Sequence, residues 1–232
     1  MKSLRPIGAE ALIRWQHPEK GLLAPGEFMH LIEDADLEIE IGEYVIRESL
    51  KQVNNWHANG LDIQMSINIA AKHLQSWEFV EKLQEALKIY PDLPRDVLQI
   101  EVLESAALED ISSVQNIIEA CKSIGVSFAL DDFGTGYSTL SYLRNLPADT
   151  LKIDQTFVRD MLNDSGDLAI VQGIIALAKT FKRKTVAEGV ETNEHIEALR
   201  LLGCEQGQGY GIAKPIPAEA FLAWLNEWNR HL

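Results

Sequence analysis

Short apolar runs alternate with longer stretches in which apolar residues recur every three or four positions, and the pattern repeats along the whole chain. The runs at 7–14, 63–69, 97–102, 127–130, 150–153, 185–187 and 208–212 predict strands. The stretches at 41–58, 77–89, 111–124, 167–181, 193–202 and 217–228 predict helices, with Pro91 and Gly125 stopping the second and third and Thr192 and Gly203 bracketing the fifth. Pro217 stands at the first position of the last. In 167–181, Ile170, Val171, Ile174, Ile175, Ala178 and Phe181 form one apolar stripe for packing on a sheet. Strand-helix alternation of this kind means parallel βα units. Asn68, Glu101, Asp131, Asp154 and Glu188 all fall at or just past strand carboxyl ends. In a barrel those ends converge on one mouth, whereas in an open doubly wound sheet only the ones near the switch point meet. The expected fold class is therefore α/β, a (β/α)8 TIM-type barrel one strand short.

Composition narrows the function. The 232 residues are 46% hydrophobic, which is globular, and 21 Lys+Arg against 35 Asp+Glu leave a net charge of −14. An acidic chain is poorly suited to nucleic-acid polymers, whose binders displace phosphate counterions with basic residues. No apolar run reaches the roughly 18 residues of a membrane span, and the start lacks a secretory signal. Two cysteines make no disulfide framework, so the chain is expected to be cytoplasmic, or a cytoplasmic domain of a membrane-anchored protein. Trp56, Trp77, Trp224 and Trp228 sit at helical apolar positions and read as core; the six histidines, without ligand spacing, read as surface or helix filling.

The chemistry lies in the strand-end polar residues. Asp131 and Asp132 are adjacent, and neighbouring strand residues point to opposite faces, so both serve one site only if the strand stops there and turns through Gly134 and Gly136. The plainer alternative is a solvated acidic turn. In Leu151-Lys-Ile-Asp154, alternation puts Lys152 and Asp154 on the face opposite Leu151 and Ile153. A lysine there needs carboxylate partners, either as a structural ion pair or as an orienter of water or phosphate. Glu10, Asn68, Glu101 and Asp131 come from four strands and offer only oxygen, which favours Mg²⁺ or Mn²⁺. Asp132 and Glu188 leave room for a second ion, an arrangement suited to phosphoester hydrolysis. An enolase-type barrel with Lys152 as base has similar ingredients.

The segments Glu10-Ala-Leu-Ile-Arg-Trp-Gln-His-Pro18, Asn68, Glu101-Val-Leu-Glu104, Asp131-Asp-Phe-Gly-Thr-Gly-Tyr-Ser138, Leu151-Lys-Ile-Asp154, Ala187-Glu-Gly-Val-Glu-Thr192 and Gln208-Gly-Tyr210, with Pro215, resemble the EAL-domain cyclic di-GMP phosphodiesterases in order and spacing. The resemblance implies a barrel enzyme that hydrolyses one phosphodiester of cyclic di-GMP to linear pGpG in bacterial signalling, with two Mg²⁺ or Mn²⁺ ions. It assigns Glu10, Asn68, Glu101 and Asp131 to one metal and Asp132 to the second. Lys152 and Glu188 look like the pair that activates water, with Glu188 the general base. Leu12, Arg14 and Tyr210 look like substrate contacts, and Glu104, Asp154, Glu191 and Gln208 like supports. Glu104 resembles the anchor of the 132–138 loop, through which the resemblance implies a homodimer.

Four positions depart from the family pattern: Ala70, His73, Leu103 and Gln155. The family's N-terminal strand is also absent before Ile7, which accounts for the uncounted strand. The expectation is a single EAL-type domain, 1–232, N-terminally truncated and belonging to a longer signalling protein with an upstream sensor or diguanylate cyclase domain. A catalytically silent cyclic di-GMP receptor is the alternative within the resemblance.

Overall fold

The computed structural model describes residues 4–32, 36–105, 111–136 and 140–230, and for 140–142 the backbone alone. The chain divides into two compact units: one of 7–102 and 112–127, the other of 1–6, 103–111 and 128–232.

The first unit is built on three parallel strands, β1 (Gly8–Ala11), β4 (Gln64–Asn68) and β5 (Leu98–Leu103), the last residue of β5 falling to the second unit. In register, Glu10 stands beside Ser66, Ser66 beside Gln99, and Asn68 beside Glu101. Because strand side chains alternate, one face carries Glu10, Ser66, Asn68, Gln99 and Glu101. The other carries Met65, Ile67, Leu98, Ile100 and Val102, all buried. Helix α2 (Leu37–Ala58) buries Ile46, Ser49, Leu50, Val53 and Trp56 on one stripe. The expected strand 7–14 is cut short at Ala11. The chain beyond it enters an antiparallel hairpin, β2 (Trp15–His17) and β3 (Gly21–Leu23), and Ile13 packs onto Leu23, Phe28 and Ile32.

The second unit carries β6 (Ser127–Phe133, from Phe128), β7 (Thr150–Ile153), β8 (Lys184–Ala187) and β9 (Gln206–Gly207), parallel in that order. Helix α8 (Ser165–Thr180) begins before the expected 167 because the Asp164 carboxylate accepts the Gly166 and Asp167 N–H groups at 2.7 and 3.1 Å. Its Val171, Ile174, Ile175 and Ala178 are buried as expected, but Ile170 is exposed. Helix α9 (Asn193–Leu202) has the expected Thr192 cap, whose hydroxyl accepts the His195 N–H.

Several expectations need correction. The strand expected at 208–212 is a turn, since Ile212 and Ala213 both donate to the Gly209 carbonyl, and the paired residues are Gln206–Gly207. Trp77 is not core: it is 87% exposed, in the turn before helix α4 (Phe79–Lys88). Trp56 is buried, whereas Trp224 and Trp228 are half-buried in an aromatic row with Phe221. Both cysteines are free and buried, and burial pushes the Cys121 thiol up to about 12.

His73, one of the departures from the family pattern, is 1% exposed, so it is no surface residue. It fits because Gly42 of α2 leaves it space: a Cβ at 42 would lie 2.0 Å from His73 Nδ1. Its ring meets Phe79 edge-on at 5.0 Å. Burial lowers the His73 pKa, against the raising charge of Glu43. Gly42→Ala is expected to destabilise the fold by about 1–3 kcal/mol through overpacking despite alanine's higher helix propensity. Denaturant unfolding checks it, and His73→Ala should recover part of the loss in the double variant.

Candidate active site

The residues singled out in the sequence form two groups, one within each unit. In the first unit, Glu10 ends up hydrogen-bonded to Asn68, whose Nδ2 donates to Glu10 Oε1 at 2.7 Å. Asn68 and Glu101 are register neighbours, and the Glu101 carbonyl accepts the Ile69 N–H at 3.2 Å. Glu101 is 2% exposed. An acid, an amide and a second acid thus stand at the carboxyl ends of three adjacent strands. Beyond β1, Leu12 is exposed, and Arg14 turns its guanidinium onto the carbonyls of Ile13 and Leu12 at 2.8 and 3.3 Å.

The second unit holds a tighter cluster. Lys152, at the centre of β7, is 2% exposed, and its Nζ lies 2.9 Å from Asp131 Oδ1 and 2.8 Å from Glu188 Oε1. A buried ammonium is tolerable only with such partners, and one lysine here tethers the ends of β6 and β8. Asp131, Asp132 and Glu188 each present an oxygen within 4.8 Å of the others, a group able to hold a cation. With oxygen donors alone, that group suits a hard divalent ion.

The two adjacent aspartates share the site by a route the sequence does not suggest. β6 does not stop at 130. Leu130 pairs with Leu151 and Phe133 with Ile153, so three steps along β6 match two along β7, a β-bulge. Asp132 takes the left-handed conformation, φ +54, which an aspartate tolerates better than most residues. The bulge cancels the alternation that would have sent Asp131 and Asp132 to opposite faces.

The chain then turns at Gly134, φ +107, whose N–H donates to Glu104 Oε2 at 2.9 Å. Glu104 is 2% exposed and presses on Gly136, where a Cβ would lie 2.9 Å from Oε1. That supports the expected anchoring as far as Gly136; residues 137 and 138 lie outside the described ones.

Asp154 caps helix α7 (Gln155–Asp160), accepting the Thr156 N–H at 2.9 Å and the Thr156 hydroxyl. Burial, the neighbouring Asp131 charge and a hydrogen bond with Asp154 push the Asp132 carboxyl up to about 6. Gln208 is joined through its backbone to Ala187 and Val190. Glu191 is exposed, and Tyr210 is 65% exposed with Lys214 Nζ 5.8 Å from its ring centroid. Thr156 and the glycines around Tyr210 had no assigned role. The Thr156 contact with Asp154 is a local capping signal two residues long, whereas the glycines act through contacts with Val190 and Glu191 that are not local.

Parallel strands followed by helices, with acids and a buried lysine at the strand ends, define an α/β protein with an oxygen-donor site of barrel-enzyme type. The EAL domain family model matches residues 1–215, and the chain belongs to that family. It is 42% identical over 218 residues to the bifunctional diguanylate cyclase/cyclic di-GMP phosphodiesterase MucR of Pseudomonas aeruginosa, covering 94% of this chain and 32% of that protein. It is 36% identical over 221 residues to another cyclic di-GMP phosphodiesterase of that bacterium, covering 95% and 38%. The chain therefore spans about a third of the length of these curated relatives. The solved PaMucR phosphodiesterase in complex with c-di-GMP superposes with a TM-score of 0.88 at 42% identity, over 93% of this chain and 87% of that one. The fold class is α/β of TIM-barrel type.

Asp132's charged form is penalised in the fold, so the penalty is absent below the ordinary value of 3.8, grows between 3.8 and about 6, and is complete above. Asp132→Asn should raise the Tm of metal-free protein at pH 8, with the gain vanishing near pH 4. Lys152→Met leaves Asp131 and Glu188 facing each other uncompensated and is expected to cost about 3–5 kcal/mol in EDTA. Denaturant unfolding with and without Mg²⁺ checks this, the cation recovering part of the loss.

Proposed function

We propose that the chain is a metal-dependent phosphodiesterase that opens one phosphodiester bond of cyclic di-GMP to give linear pGpG. The observation that carries the reading is Lys152 held between Asp131 and Glu188. The filled Glu10, Asn68 and Glu101 positions and relatives named as cyclic di-GMP phosphodiesterases support it. By the family assignment, Glu10, Asn68, Glu101 and Asp131 hold one Mg²⁺ or Mn²⁺ ion and Asp132 a second. When bound, such ions supply charge stabilisation for the attacking and leaving oxygens.

The chain's own residues do the rest. Glu188 takes a proton from the attacking water, whose oxygen bonds to phosphorus. The bond from phosphorus to the 3′ oxygen breaks, that oxygen takes up a proton, and the product keeps its 5′ phosphate. Lys152 holds Glu188 and Asp131 in place through one ammonium. Leu12, Arg14 and Tyr210 contact substrate, and Glu104, Asp154, Glu191 and Gln208 support the segments that carry the acids. An ammonium held between two carboxylates is an electrostatic partner rather than a proton acceptor, which disfavours the enolase-type reading.

The chain acts as a single domain, 1–232, of a longer cytoplasmic or membrane-anchored signalling protein with a sensor or cyclase domain, and it pairs through the 132–138 segment. Its relatives' greater length supports the first point. Among the described residues no helix is long and apolar enough to cross a membrane.

Incubation with Mg²⁺ and cyclic di-GMP should yield pGpG. Binding without turnover would leave a silent receptor instead. Glu188→Gln and Lys152→Ala should each lower kcat by about 10²–10⁴-fold with Mn²⁺ binding largely kept; a wild-type rate in either variant removes its assigned role.

A further inference from the structure

Glu188 lies one residue beyond β8, and its backbone N–H reaches the Ile153 carbonyl at 3.1 Å. The segment it opens, 188–191, has chain packed against it on two sides. On one side is the start of α7: Gly189 has φ +66, and a Cβ there would lie 2.8 Å from Gln155 Cβ and 3.3 Å from its Cα. On the other side runs 208–211. Gln208 N–H donates to the Ala187 carbonyl at 2.8 Å, Val190 N–H to the Gln208 carbonyl at 2.9 Å, and Gly211 N–H to the Val190 carbonyl at 2.9 Å. A Cβ on Gly209 would lie 2.3 Å from Val190 N, and one on Gly211 2.5 Å from the Glu191 carbonyl carbon and oxygen. These neighbours are backbone and cannot rotate away, so only glycine permits the approach. Gly173, by contrast, has nothing within 4 Å of a built Cβ.

We propose that Gly189, Gly209 and Gly211 form a backbone clamp that positions Glu188 for proton transfer. The inference rests on the reading of Glu188 as general base. Lys152 holds the Glu188 carboxylate at 2.8 Å but leaves its Cα to be placed by other contacts. The clamp places it from both sides. Displacement of a reacting group by about 1 Å costs on the order of 10²-fold in rate, so the close approach has a catalytic consequence beyond stability.

The test is Gly211→Ala, assayed for cyclic di-GMP hydrolysis well below its Tm. The clamp predicts a kcat lower by about 10–100-fold with KM within about threefold of wild type. Gly173→Ala should leave both unchanged. Acting through Glu188, Gly211→Ala should add no further loss to Glu188→Gln in the double variant. Multiplying losses, or a wild-type kcat in Gly211→Ala, overturn the clamp. If Gly211→Ala does not fold, Gly189→Ala is read instead: lowered kcat partly restored by Gln155→Gly supports the clamp, and wild-type kcat overturns it. If the wild type itself shows no turnover, it is the functional reading that fails. The clamp is then judged by amide hydrogen exchange in Gly211→Ala, where faster exchange at Val190 supports it and wild-type protection overturns it.

Discussion

One buried charge organises the second unit. Lys152 is almost fully removed from water, and an ammonium in that position is stable only while Asp131 and Glu188 stay within hydrogen-bond reach. The requirement runs both ways. Two carboxylates at the ends of the strands flanking β7 would repel each other without the lysine, and the lysine could not be buried without them. Strands β6, β7 and β8 are therefore joined by their ladders and, at the carboxyl end, by an ion triad. A third acid, Asp132, adds negative charge beside it, and burial together with the neighbouring Asp131 charge raises its pKa. A cluster that carries more negative charge than its lysine balances is suited to a divalent cation.

Local irregularities adapt regular strands to this demand. A strand delivers every second side chain to one face, so two consecutive aspartates cannot serve one site from an ideal ladder. The bulge between Leu130 and Phe133, with Asp132 in the left-handed region, resolves that conflict. Asp154 serves two ends at once, capping α7 and contacting Asp132. In the first unit no such device is needed. Glu10, Asn68 and Glu101 reach their places through parallel register and alternation alone.

Much of the chemistry was legible in advance because it depends on residue type and short spacing. The alternation Leu151-Lys-Ile-Asp154 put Lys152 opposite the apolar face, and the structure finds it with two acids. The Thr192 cap and the Asn193–Leu202 helix stand where the sequence predicts them because caps are local signals. The misreadings share a different cause. Trp77 looked like core by periodicity but lies in a turn, and Ile170 matched a buried stripe but is exposed. Periodicity says which residues share a face; it does not say how far the opposing layer extends. The last strand was misplaced because Gln208–Gly211 bonds sideways onto Val190, a contact set by residues some twenty positions away.

The strand and helix alternation, the oxygen-only donor set, the single lysine among the acids and membership of the EAL family are written in the amino-acid order. All of these are carried by residue identity and by spacing over a few positions. Packing settles that Asp131 and Asp132 share a face, that His73 fills the space left by Gly42, and that three glycines hold the Glu188 segment. Those outcomes depend on register and on backbone approach between distant segments. Such distances are settled when the chain packs, because each segment's position depends on all the others that exclude it from the same space.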